Sequence, residues 1–245
     1  MTGTRERPHQ TARGRAGGTG GKPAPPLLVL YGGTFDPVHE GHLAVARCAR
    51  DALAATVHFM PAADPPHRPA PGASAAQRVE MLELALAGEP GLALDTRELA
   101  RAEPSWTVET LRGLRRELGP EAPVALLLGA DSFLGLPQWR EWRQLFGLAH
   151  FVVAERAGSP LDAGLPEPLA AAVEGRLVDD PARLHEAPAG RVFRLRQPLQ
   201  PGSASGLRAR VAGGGDWQAL VPPAVAGYIR RHRLYVGRGV TKPPL

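Results

Sequence analysis

Leu27-Leu28-Val29-Leu30-Tyr31-Gly32-Gly33-Thr34-Phe35-Asp36-Pro37-Val38-His39-Glu40-Gly41-His42 passes from an apolar run through a glycine pair to two histidines three residues apart. The run Leu27–Tyr31 reads as a buried strand, and the apolar spacing after it predicts a helix over His42–Leu53. Gly32 and Gly33 lack the Cβ that would keep a phosphate chain off the backbone, and a helix N-terminus just beyond favours an anion. His39 and His42 flank the helix start with both imidazoles on one side, where they can face one phosphate.

Outward from this stretch the pattern repeats. Strands are expected at Thr56–Pro61, Leu92–Asp95, Val124–Leu128 and His150–Ala154, with helices at Ala76–Ala87, Thr107–Leu118 and Gln138–Leu145 between them. Strands separated by helices of this length pair in parallel through right-handed crossovers. The expected fold is therefore α/β: a doubly wound, Rossmann-like parallel sheet in a single domain, with its ligand site at the C-terminal ends of the strands. Pro160–Pro188 reads as a looser excursion holding one short helix, Glu167–Glu174. A last strand, Val192–Leu195, leads into Ser203–Val211 and a terminal helix near Val225–His232.

The whole chain of 245 residues carries +5 with a pI near 10.1, which at face value points to a nucleic-acid partner. The excess is confined to the ends. Residues 1–26 hold Arg5, Arg7, Arg13, Arg15 and Lys22 against Glu6, and residues 237–245 add Arg238 and Lys242, so residues 27–236 carry net −1. Both ends are expected to be disordered tails flanking one domain over 27–236, and no nucleic-acid partner is expected. Gly17–Lys22 imitates a phosphate loop, but Ala16 replaces its first glycine, Pro23 follows the lysine, and no strand precedes it. The apolar runs are too short to span a membrane, and the one cysteine, Cys48, excludes an internal disulfide and a Cys-based zinc cluster. A cytoplasmic protein is expected. His39 and His42 also lack the i, i+4 spacing of a helical zinc pair.

The strand-to-helix stretch resembles the signature of the nucleotidylyltransferases, an HxGH motif preceded by a G-[ST]-F-D-P-like loop. Further elements look like bacterial nicotinate-nucleotide adenylyltransferase: Pro65-Pro66-His67-Arg68, Gln77-Arg78, Pro104-Ser105-Trp106-Thr107, Gly129-Ala130-Asp131-Ser132 and Pro137-Gln138-Trp139. Ser203-Ala204-Ser205-Gly206-Leu207-Arg208 is similar to that family's triphosphate-contacting motif, and the resemblance runs from about Leu27 to Tyr235. It implies transfer of AMP from ATP to nicotinate mononucleotide, giving deamido-NAD and pyrophosphate. Mg²⁺ would be held mainly by the ATP phosphates rather than by protein ligands. The attacking group, a phosphate oxygen, is already charged at pH 7, so alignment and charge stabilisation suffice.

On the resemblance, His39, His42 and Arg208 are the catalytic set. ATP is met by Gly32, Gly33, Thr34, Phe35, His39, His42, Asp131, Ser203, Ser205 and Arg208. Trp139 is expected to stack on the pyridine with Trp106 beside it; Thr107 and the N–H groups of Val108 and Arg140 meet the nicotinate carboxylate, and His67 and Arg68 lie near the substrate phosphate. For Asp131 an N-cap role stands beside ribose binding, and for Asp36 shaping of the loop is preferred over contact with metal. Gly202 and Gly206 depart from the family pattern, which leaves the rigidity of the phosphate clamp open. Sibling transferases acting on phosphopantetheine or glycerol phosphate are the nearest rivals. They lack the two-tryptophan elements, and the aminoacyl-tRNA synthetases that share the motif carry a second loop not found here.

Overall fold

Among the described residues seven parallel strands form a single sheet, in the order Leu92–Leu94 (β3), Val57–Pro61 (β2), Leu28–Gly33 (β1), Val124–Gly129 (β4), His150–Glu155 (β5), Val192–Arg196 (β7) and Leu177–Val178 (β6). The computed structural model describes residues 25–63, 72–101, 106–155, 161, 164–197 and 202–236. The helices are α1 Glu40–Leu53, α2 Ala75–Leu86, α3 Thr107–Leu118, α4 Ala130–Leu134, α5 Trp142–Leu148, α6 Glu167–Val173, α7 Ala204–Ala212 and α8 Pro223–Arg231. The expected doubly wound fold is the one found.

Strand periodicity divides the core into two layers. Val29 and Tyr31 of β1 point to the face covered by Leu43, Ala46 and Leu53 of α1, Met81 and Leu82 of α2, and Ile229 of α8. Leu30 points to the other, with Val108, Leu111 and Leu114 of α3 and Trp142 and Leu145 of α5. Strand order reverses between β1 and β4, whose registers pair Leu28 with Val124 and Tyr31 with Leu127. A crevice at that reversal is where ligands bind in sheets of this kind.

The sequence reading needs correction between β4 and β5. The helix expected over Gln138–Leu145 is interrupted: Leu136–Gln138 is a 3₁₀ turn with Pro137 inside it, and α5 begins only at Trp142. Glu141 breaks the run with a left-handed backbone, φ 52°. The short helix α4 was not anticipated, nor was the two-residue strand β6, which exists through its pairing with β7. Residues 1–24 and 237–245, most of the two expected tails, lie outside the described residues.

Candidate active site

The stretch from Gly32 to His42 emerges from β1 at the reversal point and enters α1. Phe35 sits at φ 51° with its ring buried edge-on to Tyr31 and His42, at centroid separations of 5.5 and 5.1 Å. A Cβ on Gly33 would lie 2.9 Å from the Phe35 ring, so glycine is required there by the aromatic that stiffens the loop. His39 is the N-cap of α1, and its ring stacks on that of His42 at 3.7 Å and 26°.

The stack fixes the chemistry of the pair. The backbone N–H of His39 donates to His42 Nδ1 at 3.3 Å, which leaves Nε2 of the neutral ring to carry the proton. Burial pushes the His39 imidazole down to about 4, and burial together with the adjacent His39 holds His42 well below its ordinary value. Two cations at this separation would repel by about 4 kcal/mol at an effective dielectric of about 20. Both rings are therefore neutral donors at pH 7 in the ligand-free protein, and a bound polyanion would supply the charge that draws protons onto them.

The second candidate element arrives from α7, far along the chain. Ser203 caps this helix: its Oγ accepts from the N–H of Gly206 at 3.1 Å and lies 3.1 Å from the Ser205 hydroxyl. The two glycine departures have a geometric reason. Gly202 takes φ 120°, and a Cβ on Gly206 would stand 3.2 Å from the capping Oγ. The Ser203 cap holds the start of the helix whose rigidity the glycines left open. Arg208 Nη1 donates to the Asp36 carbonyl oxygen at 2.6 Å, which seats the guanidinium on the β1–α1 loop.

Asp36 shapes that loop. Its carboxylate is 4% exposed and accepts from the N–H groups of Gly72 and Ala73 and from the Tyr235 hydroxyl. Among the described residues no group of three His, Cys, Asp or Glu could hold a metal ion. Arg78, fully buried in α2, donates through Nη1 to the carbonyls of Thr34 and Ala62, tying the loop to the end of β2. Sequence reasoning gave Tyr235, Gly72 and Ala73 no role, because single residues with no periodicity carry no local signal.

At the other side of the crevice, Trp106 is the N-cap of α3, so the N–H groups of Thr107 and Val108 begin a helix and lack partners within it. Trp106 and Trp139 are both partly buried against the α3–α5 layer, and the Arg140 guanidinium lies 5.6 Å from the Trp106 ring centroid. Arg112 joins α3 to the 139–141 turn through a 2.6 Å bond to Glu141. Trp142, at the start of α5, is buried in the same layer. Asp131 is exposed in the first turn of α4, whose N-cap is Gly129, so the N-cap alternative is corrected. His67 and Arg68 lie outside the described residues.

A parallel sheet with a histidine pair and a capped arginine helix at its reversal point is the build of a nucleotidyl-transferring enzyme, and residues 30–210 match the cytidylyltransferase-like family. Among relatives, a protein of Stenotrophomonas maltophilia named as a probable nicotinate-nucleotide adenylyltransferase is 60% identical over 85% of this chain and 96% of its own. One of the same name from Xylella fastidiosa is 50% identical over 86% and 97%. The Plasmodium falciparum nicotinic acid mononucleotide adenylyltransferase complexed with NaAD shares the fold, with a TM-score of 0.65 at 16% identity over 86% of this chain and 97% of that one. The chain belongs to the nicotinate-nucleotide adenylyltransferases, enzymes that transfer AMP in NAD biosynthesis.

Proposed function

We propose that the phosphate of nicotinate mononucleotide attacks the α-phosphorus of ATP in line, forming deamido-NAD and releasing pyrophosphate without a covalent intermediate. The observation that carries this reading is the stacked His39–His42 pair at the start of α1, with Arg208 bonded to the same loop. Gly32, Gly33, Thr34 and Phe35 let the triphosphate run along the backbone, and the His39 and His42 donors face the α-phosphate and the departing pyrophosphate. Ser203, Ser205 and Arg208 hold the β- and γ-phosphates at the α7 N-terminus, where the guanidinium offers a planar fork. Asp131, at the C-terminal end of β4, accepts from a ribose hydroxyl.

The pyridine ring stacks on Trp139 beside Trp106, and its carboxylate takes Thr107 with the N–H groups of Val108 and Arg140. His67 and Arg68 are assigned to the substrate phosphate on resemblance alone. Mg²⁺ enters with ATP as part of the substrate, consistent with an Asp36 carboxylate already engaged by three hydrogen-bond donors. Among the described residues no helix is long and apolar enough to cross a membrane, and we assign the enzyme to the cytoplasm, where its nucleotides reside. A preorganised donor facing the reacting phosphate is tested by His42→Ala, which should lower kcat on the order of 10²–10³. A variant with wild-type kcat would refute the role.

A further inference from the structure

Asp36 is a buried charge held by three parts of the chain at once. Such a group is tolerated only where hydrogen bonds and a counter-charge replace its water. Gly72 N–H donates to Oδ2 at 2.8 Å, Ala73 N–H to Oδ1 at 3.0 Å, and the Tyr235 hydroxyl to Oδ1 at 2.7 Å. Arg208 Nη1 lies 3.6 Å from Oδ2 while donating to the backbone carbonyl of the same residue. Among the described residues Nε and Nη2 of Arg208 make no hydrogen bond, and the side chain is 37% exposed. One nitrogen anchors the guanidinium, and its remaining donors stay available to a ligand.

The seat of Tyr235 is specific. Its ring covers the bare backbone of Gly72, where a Cβ would come within 2.9 Å, and its own backbone lies in the left-handed region at φ 60°. Burial, and then the bond to Asp36, hold the phenol far above its ordinary pKa, so it remains a donor. With Oδ1 filled by Tyr235 and Ala73, the carboxylate cannot turn to take Arg208 in a two-pronged pair, the arrangement a carboxylate and a guanidinium otherwise prefer.

We propose that Tyr235 is a positioning residue for AMP transfer: by saturating Asp36 it keeps Arg208 presented to the triphosphate instead of folded back onto the carboxylate. The inference rests on the reading of Arg208 as a phosphate ligand. Tyr235→Phe keeps the ring and removes the donor. It should raise KM for ATP about tenfold, the scale of one charge-assisted hydrogen bond, and leave KM for nicotinate mononucleotide unchanged. In an Arg208→Ala background the same change should add no more than about twofold, because the two residues act in series.

Asp36→Asn removes the charge that Arg208 would fold back onto while keeping the backbone carbonyl that anchors it, so in that background too Tyr235→Phe should change KM for ATP by no more than about twofold. A fall in melting temperature with ATP kinetics unchanged in Tyr235→Phe would overturn the proposal, as would an undiminished Tyr235→Phe effect in either the Arg208→Ala or the Asp36→Asn background. Wild-type kinetics in Arg208→Ala alone would instead refute the phosphate-ligand reading, and the proposal with it.

Discussion

His39 is 8% exposed and stays neutral in the folded chain until the pH falls to about 4, whereas an unfolded histidine takes its proton near 6.5. A group whose folded pKa is depressed in this way contributes its stability above the unfolded value and loses it as pH drops toward the folded one. Between pH 7 and pH 5, His39 alone should cost the fold about 2 kcal/mol. His58 and His150, both lowered by burial, act in the same direction. Urea unfolding at the two pH values checks this: wild type should weaken, and His39→Asn should weaken less across the same interval. Equal losses in both proteins would remove His39 from the account. That two histidines three apart flank a helix start was plain in the sequence. Their stacking, and hence their neutrality, was not, because it depends on how Tyr31 and Phe35 close around them.

At the scale of elements, α7 carries the clearest expectation. Its N-cap, Ser203, satisfies one of the free N–H groups at the helix start, and replacing such a cap with alanine typically costs about 1 kcal/mol. Ser203→Ala should therefore lower stability by about that amount, as read by denaturant unfolding, and raise KM for ATP several-fold while sparing KM for nicotinate mononucleotide. A stability loss with no change toward ATP would make Ser203 a cap only. Helices α1, α3 and α8 were legible from their apolar faces, and α3 falls on its expected bounds, Thr107–Leu118. The break before α5 was not legible. An apolar spacing runs through Glu141, and only tertiary contacts, including its bonds to Arg112, keep that residue left-handed. Strand β6 escaped for a related reason: two residues have no period, and β7 alone makes them a strand.

Taken whole, the molecule gathers its candidate site residues where the strand order reverses, and it draws on both ends of the described chain to do so. The loop after β1 and the α7 arginine are 172 residues apart and joined by one hydrogen bond. The rhythm of strands and helices made this sheet predictable, and the strand-to-helix stretch marked the candidate site, since both are patterns of neighbouring residues. The Asp36 junction with Tyr235 lay beyond that reading, being a contact between residues 199 apart with no pattern of its own. The basic excess of the chain falls in residues 1–26 and 237–245 and leaves residues 27–236 close to neutral, so the affinity for triphosphate has to come from placed donors rather than net charge. What the site does with those donors is tested most directly by pyrophosphate release from ATP with Mg²⁺, comparing nicotinate mononucleotide, nicotinamide mononucleotide and phosphopantetheine as acceptors. Turnover is expected with nicotinate mononucleotide, much slower release with the amide, whose uncharged group suits the helix N–H donors less well, and none with phosphopantetheine. Comparable turnover of the acid and the amide, or release with phosphopantetheine, would contradict that expectation.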